Sequence, residues 1–345
     1  MSVLTWWWIA FIVIFLIVYV IDMYATGHRH EEISIKSSLS WTALWISIAL
    51  LFGLAIFLFF PQNPGTDAKT STEMGIKFIS GYLTEYSLSV DNLFVFIMIF
   101  SMMAINKENQ PRLLKLGILI SIVLRVLFIF LGMSLLQKFE WLIYLFGLLL
   151  VWTAFKMLFS KEEDTVNPQT NILYKLASKL FPIDPDVHSP KFFTKINGKT
   201  HLTMIFLCLL VLGSTNILFS MDSIPAIIGV IGETDVLDLA EKNFLAISSN
   251  VFAVMGLVSL FFALKGIMGM FRFLKHGVCF ILFFIGAKML LGWYEPIAKF
   301  FNDYSWISLA IILFTLLFSI IISKVISEEV DDGKEIEEKL EETEK

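Results

Sequence analysis

Long apolar runs are the feature that most constrains how this chain can fold. Several approach or exceed the ~20 residues that a helix needs to cross ~30 Å of hydrocarbon. Of the 345 residues, 57% are hydrophobic and only 17% are charged. Backbone groups in lipid must bond internally, so each run is expected to be a helix, and the runs lack the short alternating pattern of an outer-membrane barrel. The sequence therefore predicts an all-α, polytopic membrane protein.

The apolar runs predict about nine transmembrane helices. The first run, WWWIAFIVIFLIVYVI, has no basic residue before it and no small-residue cleavage site after it, which favours a retained helix over a signal peptide. An odd number of spans places the two termini on opposite sides of the membrane. The expected spans are 4–21, 41–60, 76–104, 112–136, 139–159, 201–224, 243–264, 271–292 and 304–323.

The distribution of Lys and Arg between the loops predicts the orientation. If the N-terminus lies outside, the inner loops hold most of these residues, whereas the outer segment 232–241, GETDVLDLAE, is acidic. Because cytoplasmic loops carry an excess of Lys and Arg, we expect the N-terminus outside and the C-terminus in the cytoplasm. The end of the chain, 325–345, is then an acidic cytoplasmic tail.

Two pairs of segments indicate an internal repeat. EYSLSVDN (85–92) aligns with NILFSMDS (216–223), and FKML (155–158) aligns with AKML (287–290) at almost the same separation along the chain. Each unit then contains three spans, and an odd number of spans makes the second unit enter the membrane from the opposite side. The pattern predicts an inverted repeat of three plus three helices, an architecture typical of secondary transporters.

The repeat divides the chain into six predicted parts. Two peripheral helices precede the first unit, a cytoplasmic loop separates the two units, and a final span leads into the tail. The expected boundaries are 1–60 for the N-terminal helices, 61–159 for the first unit, 160–200 for the loop, 201–292 for the second unit, 293–324 for the last span and 325–345 for the tail.

The repeated motifs place polar side chains inside apolar spans, where unpaired ones are not tolerated. Positions seven apart on a helix differ by roughly 20°, so Glu85, Ser89 and Asn92 share one face. Asp91 and Asp222 lie about 100° round from the polar face of each unit. The corresponding face of the second unit carries Asn216, Ser220 and Ser223.

If the two units face one another, these groups form a cluster of oxygen donors. Isolated carboxylates do not stay ionised in hydrocarbon, and a hard divalent cation such as Mg²⁺, Ca²⁺ or Mn²⁺ would neutralise them. Protons can replace the ion when it leaves, which would give metal/proton exchange. The candidate metal ligands are Glu85, Asp91, Asn92, Asn216, Asp222 and Ser223, with Ser89, Ser220, Asn250 and Arg125 in supporting positions.

Other arrangements would satisfy the same acids without transport. Asp91 and Asp222 can cap half-helices or pair with Arg125, which lies well inside a span.

Pro225 removes a backbone donor and favours a broken helix. The span 76–104 would be ~43 Å long against a hydrocarbon core of ~30 Å, so it must tilt, break or extend into water.

Glycines mark candidate points of close helix approach or hinging. Such positions are common where membrane helices pack closely, because the missing side chain lets two backbones come together. The three glycines expected in this role are Gly81, Gly213 and Gly256.

Seven motifs in order resemble the tellurium-resistance TerC family of bacterial membrane proteins, within the LysE transporter superfamily. They run from about Gly81 to Leu291: GYLTEYSLSVDNLFVF, VLRVLFIF, TAFKMLF, FFTKINGK, FSMDSIPAI, SSNVFAVMGL and FIGAKMLL. The resemblance implies a protein of the bacterial cytoplasmic membrane that exports manganese or acts in metal-ion homeostasis. It also implies that the intramembrane acids are ligands, which at matching positions gives Glu85, Asp91, Asn92, Asp222 and Ser223.

The second motif departs from the family pattern. Family members usually carry Glu and Asp where this chain has Gly213 and Asn216, and an Arg where it has Val258. Two acids and one base are therefore missing from the second unit. Because these losses partly balance in charge, the site can be rewired rather than abolished; a changed ion and a loss of transport are both open.

We expect a membrane transporter that exports divalent metal ions, Mn²⁺ foremost, as substrate, with no enzymatic activity, no prosthetic group and no nucleic-acid partner. We expect the protein to lie in the lipid bilayer. The alternative is a non-transporting membrane scaffold of a metal or tellurite stress-response complex, which would bind protein partners through the loop 160–200 and the acidic tail.

Overall fold

The computed structural model describes most of the chain, and the acidic tail after Val325 lies outside the described residues. So do the side chains of Asp91 and Asp222, although both residues lie in described helices. The described residues are 2–27, 35–61, 70–159, 171–184, 186, 189–232, 236–266, 274–304, 306–323 and 325.

Helices make up nearly all of the described structure, joined by one short β-hairpin. In chain order the elements are α1 (Val3–Gly27), α2 (Ile35–Phe59), α3 (Thr70–Met102), α4 (Gln110–Lys138), α5 (Leu142–Phe159), α6 (Ile172–Leu180), β1 (Phe193–Ile196), β2 (Lys199–Leu202), α7 (Met204–Ile231), α8 (Leu239–Val254), α9 (Leu257–Gly266), α10 (Leu274–Leu291), α11 (Glu295–Asp303) and α12 (Trp306–Ser323).

Eight helical segments in the described part of the chain are long and apolar enough to cross a membrane. They are α1, α2, α3, α4, α5, α7, the consecutive pair α8 and α9, and α12. The polytopic, all-α architecture is confirmed. The remaining predicted span, 271–292, overlaps α10, which begins at Leu274 where the description resumes after residue 266. The total of nine spans stays a prediction.

The interruption of a membrane helix lies at a different place from the one predicted. α7 continues through Pro225 to Ile231, and α3 runs unbroken for 33 residues, so the predicted break at Pro225 is wrong. Instead, α8 ends at Val254 and α9 begins at Leu257. Gly256 between them has φ +85°, and a Cβ there would lie 2.5 Å from Cδ1 of Trp45. The left-handed conformation and the close indole favour glycine at the break.

Helices of the two predicted units pack against one another throughout the centre. The most extensive contacts join α5 to α10, α4 to α7 and α3 to α8. α3 and α7 run antiparallel, since Gly81 lies against Ile227, whereas the Phe96 ring lies 6.2 Å from that of Phe219. The core of the molecule is therefore formed between the units rather than within each one.

α5 and α10 are also antiparallel. Gly147 lies against Met289, and further along α5 the Phe155 ring lies 5.9 Å from that of Phe283. A Cβ on Gly147 would lie 3.1 Å from the carbonyl oxygen of Gly286. Glycine on both helices allows this close approach of two backbones.

The N-terminal helices cover one side of this core. α2 packs on α3 and α9, and α1 contacts α8. Phe52 of α2 lies between Phe78 of α3 and Phe252 of α8, with ring centroids 5.4 and 4.9 Å away. Much of α1 is exposed apolar surface, as expected for a helix that faces lipid.

The predicted cytoplasmic loop contains a short helix, α6, and most of a β-hairpin. β1 and β2 form a hairpin with a two-residue turn, Asn197 and Gly198, both with positive φ, and Asn-Gly is the pair that such turns favour. The Thr194 hydroxyl donates to the Asp184 carboxylate and, with the backbone N–H of Asp186, lowers the pKa of Asp184. Arg112 of α4 donates to the carbonyl of Pro190, which ties the loop to the helix bundle.

Candidate functional site

Glu85 of α3 lies at the centre of a fully buried polar cluster. It is 1% exposed and forms an ion pair with Arg125 of α4, which is 2% exposed. The Ser89 hydroxyl donates to Oε1 of Glu85 over 2.9 Å, and Nδ2 of Asn250 on α8 donates to Oε2 over 2.8 Å. Both carboxylate oxygens therefore have partners from the surrounding helices.

The local sequence explains how this cluster forms. Glu85 and Ser89 are four residues apart on α3, so their side chains lie one above the other on the same face. Arg125 Nη1 also donates to the Ser89 hydroxyl over 3.3 Å. A carboxylate and a guanidinium that neutralise each other and share hydrogen bonds avoid most of the penalty for unpaired charges in hydrocarbon. The sequence left open a pairing of Arg125 with Asp91 or Asp222; the carboxylate that pairs with Arg125 among the described side chains is that of Glu85.

Asn216 occupies the position of the second unit that aligns with Glu85. It is 2% exposed, and its Nδ2 donates to the Gly117 carbonyl of α4 over 2.9 Å. The Ser220 hydroxyl donates to the backbone carbonyl of Asn216 over 2.8 Å, so Ser220 bonds within its own helix. Asn216 and Ser220 thus lie outside the hydrogen-bonded group around Glu85.

The two aspartates lie on helices that pack against each other, Asp91 on α3 and Asp222 on α7. Gly81 and Phe96 of α3 lie against Ile227 and Phe219 of α7, respectively. Asp91 lies between Gly81 and Phe96 on α3, and Asp222 lies between Phe219 and Ile227 on α7. Both aspartates therefore belong to the stretches of α3 and α7 that pack against each other. The predictions for the two carboxylates themselves fall outside the described side chains.

Asn92 and Ser223, which follow the two aspartates along the chain, differ in burial. Asn92 is partly buried. Ser223 is 1% exposed, and its hydroxyl has no hydrogen-bond partner among the described residues. A buried hydroxyl without a partner is costly unless water, an ion or a neighbouring group satisfies it.

The described helices match one known family of membrane proteins. The profile of the integral membrane protein TerC family matches residues 70–331, which extend from the start of α3 past the end of α12. The chain belongs to the TerC family. The sequence resemblance based on the seven motifs is thereby confirmed.

Similarity to other TerC proteins extends over most of the chain. An uncharacterised membrane protein of Myxococcus xanthus, STKORF319, is 38% identical over 82% of this chain and 83% of its own length. A protein of Salmonella typhi named as a candidate membrane-bound redox modulator, Alx, is 35% identical over 88% of this chain and 89% of its own. Alx of Escherichia coli K12, named in the same way, is 33% identical over 88% and 90%. No solved structure matches the chain.

Sequence reasoning missed several buried polar groups of this TerC protein. The Gly117 carbonyl accepts the Asn216 bond, and Thr84 and Ser249 have buried hydroxyls that find no partner in the part of the chain that the structure describes. The run Ser248-Ser249-Asn250 within an apolar segment was a signal, but only Asn250 was selected from it. A backbone acceptor such as Gly117 leaves no trace in side-chain patterns.

Of the predicted glycine contacts, the one at Gly81 is present and the one at Gly213 is not. A Cβ on Gly81 would lie 2.8 Å from both Ile227 Cδ1 and Ser249 Oγ, so close approach is confirmed there. A Cβ on Gly213 would meet no described atom within 4 Å, so close approach is wrong for Gly213.

No cluster of three or more His, Cys, Asp and Glu side chains that could hold a metal occurs among the described residues, which exclude the side chains of Asp91 and Asp222.

Lysines bind backbone carbonyls where α7 ends. Nζ of Lys77 on α3 donates to the Val230 carbonyl over 2.8 Å, and Nζ of Lys242 on α8 donates to the Gly232 carbonyl over 2.9 Å. The last carbonyls of a helix carry partial negative charge, which cations stabilise. These bonds hold α3, α7 and α8 together at one end of the site.

Proposed function

We propose that this TerC protein is a transporter that exports divalent metal ions, Mn²⁺ foremost, through a site between α3 and α7. The observation that carries the proposal is that α3 and α7, the helices that bear Asp91 and Asp222, pack antiparallel against each other along the stretches that contain these residues. Acids inside a membrane bundle are costly unless a cation or protons neutralise them.

We propose further that the two three-helix units are an inverted repeat. Its equivalent helices would be α3 and α7, α4 and the α8–α9 pair, and α5 and α10. An inverted repeat requires equivalent helices to run in opposite directions, and α3 and α7 do so, as do α5 and α10. The extensive contacts of α3 with α8 and of α4 with α7 would then be equivalent to each other.

Two hydrogen bonds between the units support the same symmetry. Glu85 of α3 accepts from Asn250 of α8, and Asn216 of α7 donates to Gly117 of α4. Glu85 aligns with Asn216 in the repeat, and Gly117 is separated from Asn250 by nearly the same stretch of chain. The two bonds therefore join equivalent positions crosswise, as a pseudo-two-fold axis between the units would require.

The donor chemistry favours a hard cation. Asp91, Asn92, Asp222 and Ser223 offer oxygen donors, and oxygen ligands suit Mg²⁺, Ca²⁺ and Mn²⁺ better than Cu or Zn. The Ser223 hydroxyl lacks a described partner and is adjacent to Asp222, so it is a suitable ligand. Protons on the aspartates would replace the cation after its release, which couples export to proton uptake.

Glu85 has a different part in this mechanism. Arg125 already neutralises it, so a metal ion can use Glu85 as a ligand only by displacing the guanidinium. The Ser89 and Asn250 bonds would hold the carboxylate in place during that exchange. We propose that Arg125 acts as an internal counter-cation that occupies Glu85 when no substrate ion is present.

We place the transporter in the bacterial cytoplasmic membrane, with the N-terminus outside. The Lys and Arg distribution between the loops supports this orientation. The alternative function is a non-transporting membrane scaffold, and the exposed lysines of the loop, Lys175, Lys179, Lys191, Lys195 and Lys199, would favour it as a surface for protein partners.

Ion flux in proteoliposomes tests the proposal. Purified protein is reconstituted and the uptake of Mn²⁺, Mg²⁺, Ca²⁺ and Zn²⁺ is measured with and without a pH gradient. We expect selective Mn²⁺ flux that Asp91→Ala and Asp222→Ala each abolish, whereas Asp303→Asn, an exposed acid at the end of α11, leaves it unchanged. The absence of ion-selective flux from correctly folded, unsubstituted protein would overturn the transporter and favour the scaffold.

A further inference from the structure

The helix α6 carries an apolar face that the rest of the described protein leaves uncovered. Ile172, Leu176 and Leu180 recur every four residues and are 79%, 54% and 66% exposed. Tyr174 and Ala177, on the other side of the helix, pack against the apolar core of the bundle. A stripe of this kind in contact with water would be unfavourable, since large apolar side chains gain free energy on burial.

The depth of α6 follows from its contacts with α7. Nδ2 of Asn171, the N-cap of α6, donates to Oγ of Ser214 over 2.6 Å. Ser214 is ten residues into α7, or about 15 Å along its axis. Beyond the other end of α6, the Leu202 N–H donates to the Pro182 carbonyl, just before α7 begins. α6 therefore runs alongside the first turns of α7 in the opposite direction, with its N-terminal end deeper in the bundle.

The apolar face of α6 continues the lipid-facing surface of α7. Ile217 and Leu218, one turn beyond Ser214, are 41% and 61% exposed on a helix that can span the membrane. Ser214 is bonded to the N-cap next to Ile172. The exposed apolar surface of α7 thus lies next to the deep end of α6.

Charged groups border this face on one side only. At 100° per residue, Lys175 and Lys179 lie between the apolar stripe and the side of α6 that packs on the protein. Both are exposed, and α6 contains no acidic residue. Lysines in this position beside a membrane surface attract anionic headgroups.

We propose that α6 is embedded in one leaflet of the bilayer and that Lys175 and Lys179 bind the phosphates of anionic phospholipids. Ile172 then lies deepest, among the acyl chains, and Leu180 lies nearest the headgroups. The bound lipids would fix the loop 171–202 against the membrane and hold the N-terminal turns of α7 in position. This inference does not depend on transport.

A depth series of labelled cysteines tests the insertion. An environment-sensitive fluorophore is attached to single cysteines in the full-length protein, which is reconstituted at high dilution; the three variants are Ile172→Cys, Leu176→Cys and Leu180→Cys. The native Cys208 and Cys279 are buried and therefore protected from the label. Leu218→Cys is the lipid-facing control and Lys199→Cys the aqueous one. We expect quenching by lipid-bound quenchers to decrease from 172 to 180, with protection from iodide at 172 and 176. Iodide access at all three positions like that at 199 would overturn the proposal.

The same series distinguishes a second copy of the chain from lipid. If another copy covered α6, the labels would be shielded from iodide but insensitive to lipid-bound quenchers, and the shielding would fall as the protein is diluted in the membrane. That result would also overturn the proposal.

Lipid retention tests the headgroup contact. Native mass spectrometry counts the phosphatidylglycerol molecules that stay bound after extraction from mixed phosphatidylglycerol and phosphatidylcholine vesicles. We expect Lys175→Gln with Lys179→Gln to reduce phosphatidylglycerol retention at least two-fold, whereas Lys299→Gln on α11 leaves it unchanged. Equal retention in all three proteins would contradict the proposed contact, and neither measurement depends on ion flux.

Discussion

Glu85 and Arg125, on adjacent helices of the first unit, form an ion pair in the buried centre of the bundle. A sequence interpretation that looks for a metal site assigns Glu85 to the metal and Arg125 to a supporting position. In the structure the two charges neutralise each other, and Ser89 and Asn250 complete the hydrogen bonds of the carboxylate. The metal-ligand role of Glu85 stays a prediction.

Removing one partner of this pair should destabilise the protein strongly. We expect Arg125→Leu to lower the free energy of unfolding by about 3–5 kcal/mol, because it leaves a buried carboxylate without its counter-charge. Glu85→Gln combined with Arg125→Met should cost much less, since no charge stays unpaired. Reversible unfolding in mixed micelles measures both, and equal losses for the single and the double variant would contradict this account of the pair.

The second unit should accept an engineered version of the same pair. Asn216 aligns with Glu85 and Val258 with Arg125, and Val258 is only 4% exposed in an apolar cluster. Asn216→Glu alone should destabilise by about 3–5 kcal/mol, because it buries an unpaired charge. Adding Val258→Arg should restore part of this loss.

A double-mutant cycle gives the coupling between the two substitutions. We expect a favourable coupling of about 0.5–3 kcal/mol, the range for residues in direct contact. Two losses that simply add would argue against equivalent positions in the two units, and hence against the proposed inverted repeat.

Two glycines in membrane helices should respond to alanine in opposite directions. Gly256→Ala places a Cβ at φ +85° and against Trp45, so we expect a loss of about 1–3 kcal/mol. Gly213→Ala adds a Cβ in a helix where no described atom lies within 4 Å, so we expect a gain of about 0.5–1 kcal/mol. Thermal unfolding in one detergent compares the two, and a stable Gly256→Ala protein would mean that the break between α8 and α9 does not need glycine.

The loop hairpin should become less stable in acid. The Thr194 hydroxyl and the Asp186 N–H lower the pKa of Asp184 below its usual value in the folded protein. Stability from this group is present above the unfolded pKa and is lost as the pH falls through the folded one. The protection of the β1–β2 amides, measured relative to intrinsic hydrogen exchange at each pH, should therefore decrease below about pH 4.

Thr194→Val provides the comparison for this pH dependence. It removes the first contribution to the lowered pKa, so the hairpin should lose protection at a higher pH and show a smaller total change. Thr200→Val, on the same hairpin without a recorded bond to Asp184, is the matched control. Identical pH profiles for Thr194→Val and the unsubstituted protein would contradict the role of this hydroxyl.

Much of the architecture could be read from the sequence because a bilayer leaves few choices. Apolar runs of sufficient length must form helices, and this alone predicted α1 to α5, α7 and α12, with the ends within seven residues of those observed. The motifs around Glu85 and Asp222 were sufficient to recognise the TerC family. Local patterns were also enough to select Glu85, Ser89, Asn250 and Arg125 as important, since a buried polar side chain in an apolar run always needs a partner.

Which partner each of these groups takes was decided only by the tertiary structure. Arg125 lies on the helix after that of Glu85, and Asn250 lies far along the chain in the second unit, so their meeting depends on how α3, α4 and α8 pack. The break at Gly256 rather than at Pro225 has the same origin. Surrounding helices can support a proline within a membrane helix. The contact of the left-handed Gly256 with Trp45, by contrast, forms only when α2 packs against the α8–α9 pair. Periodicity along one helix specifies a face; only the packing of helices specifies what that face contacts.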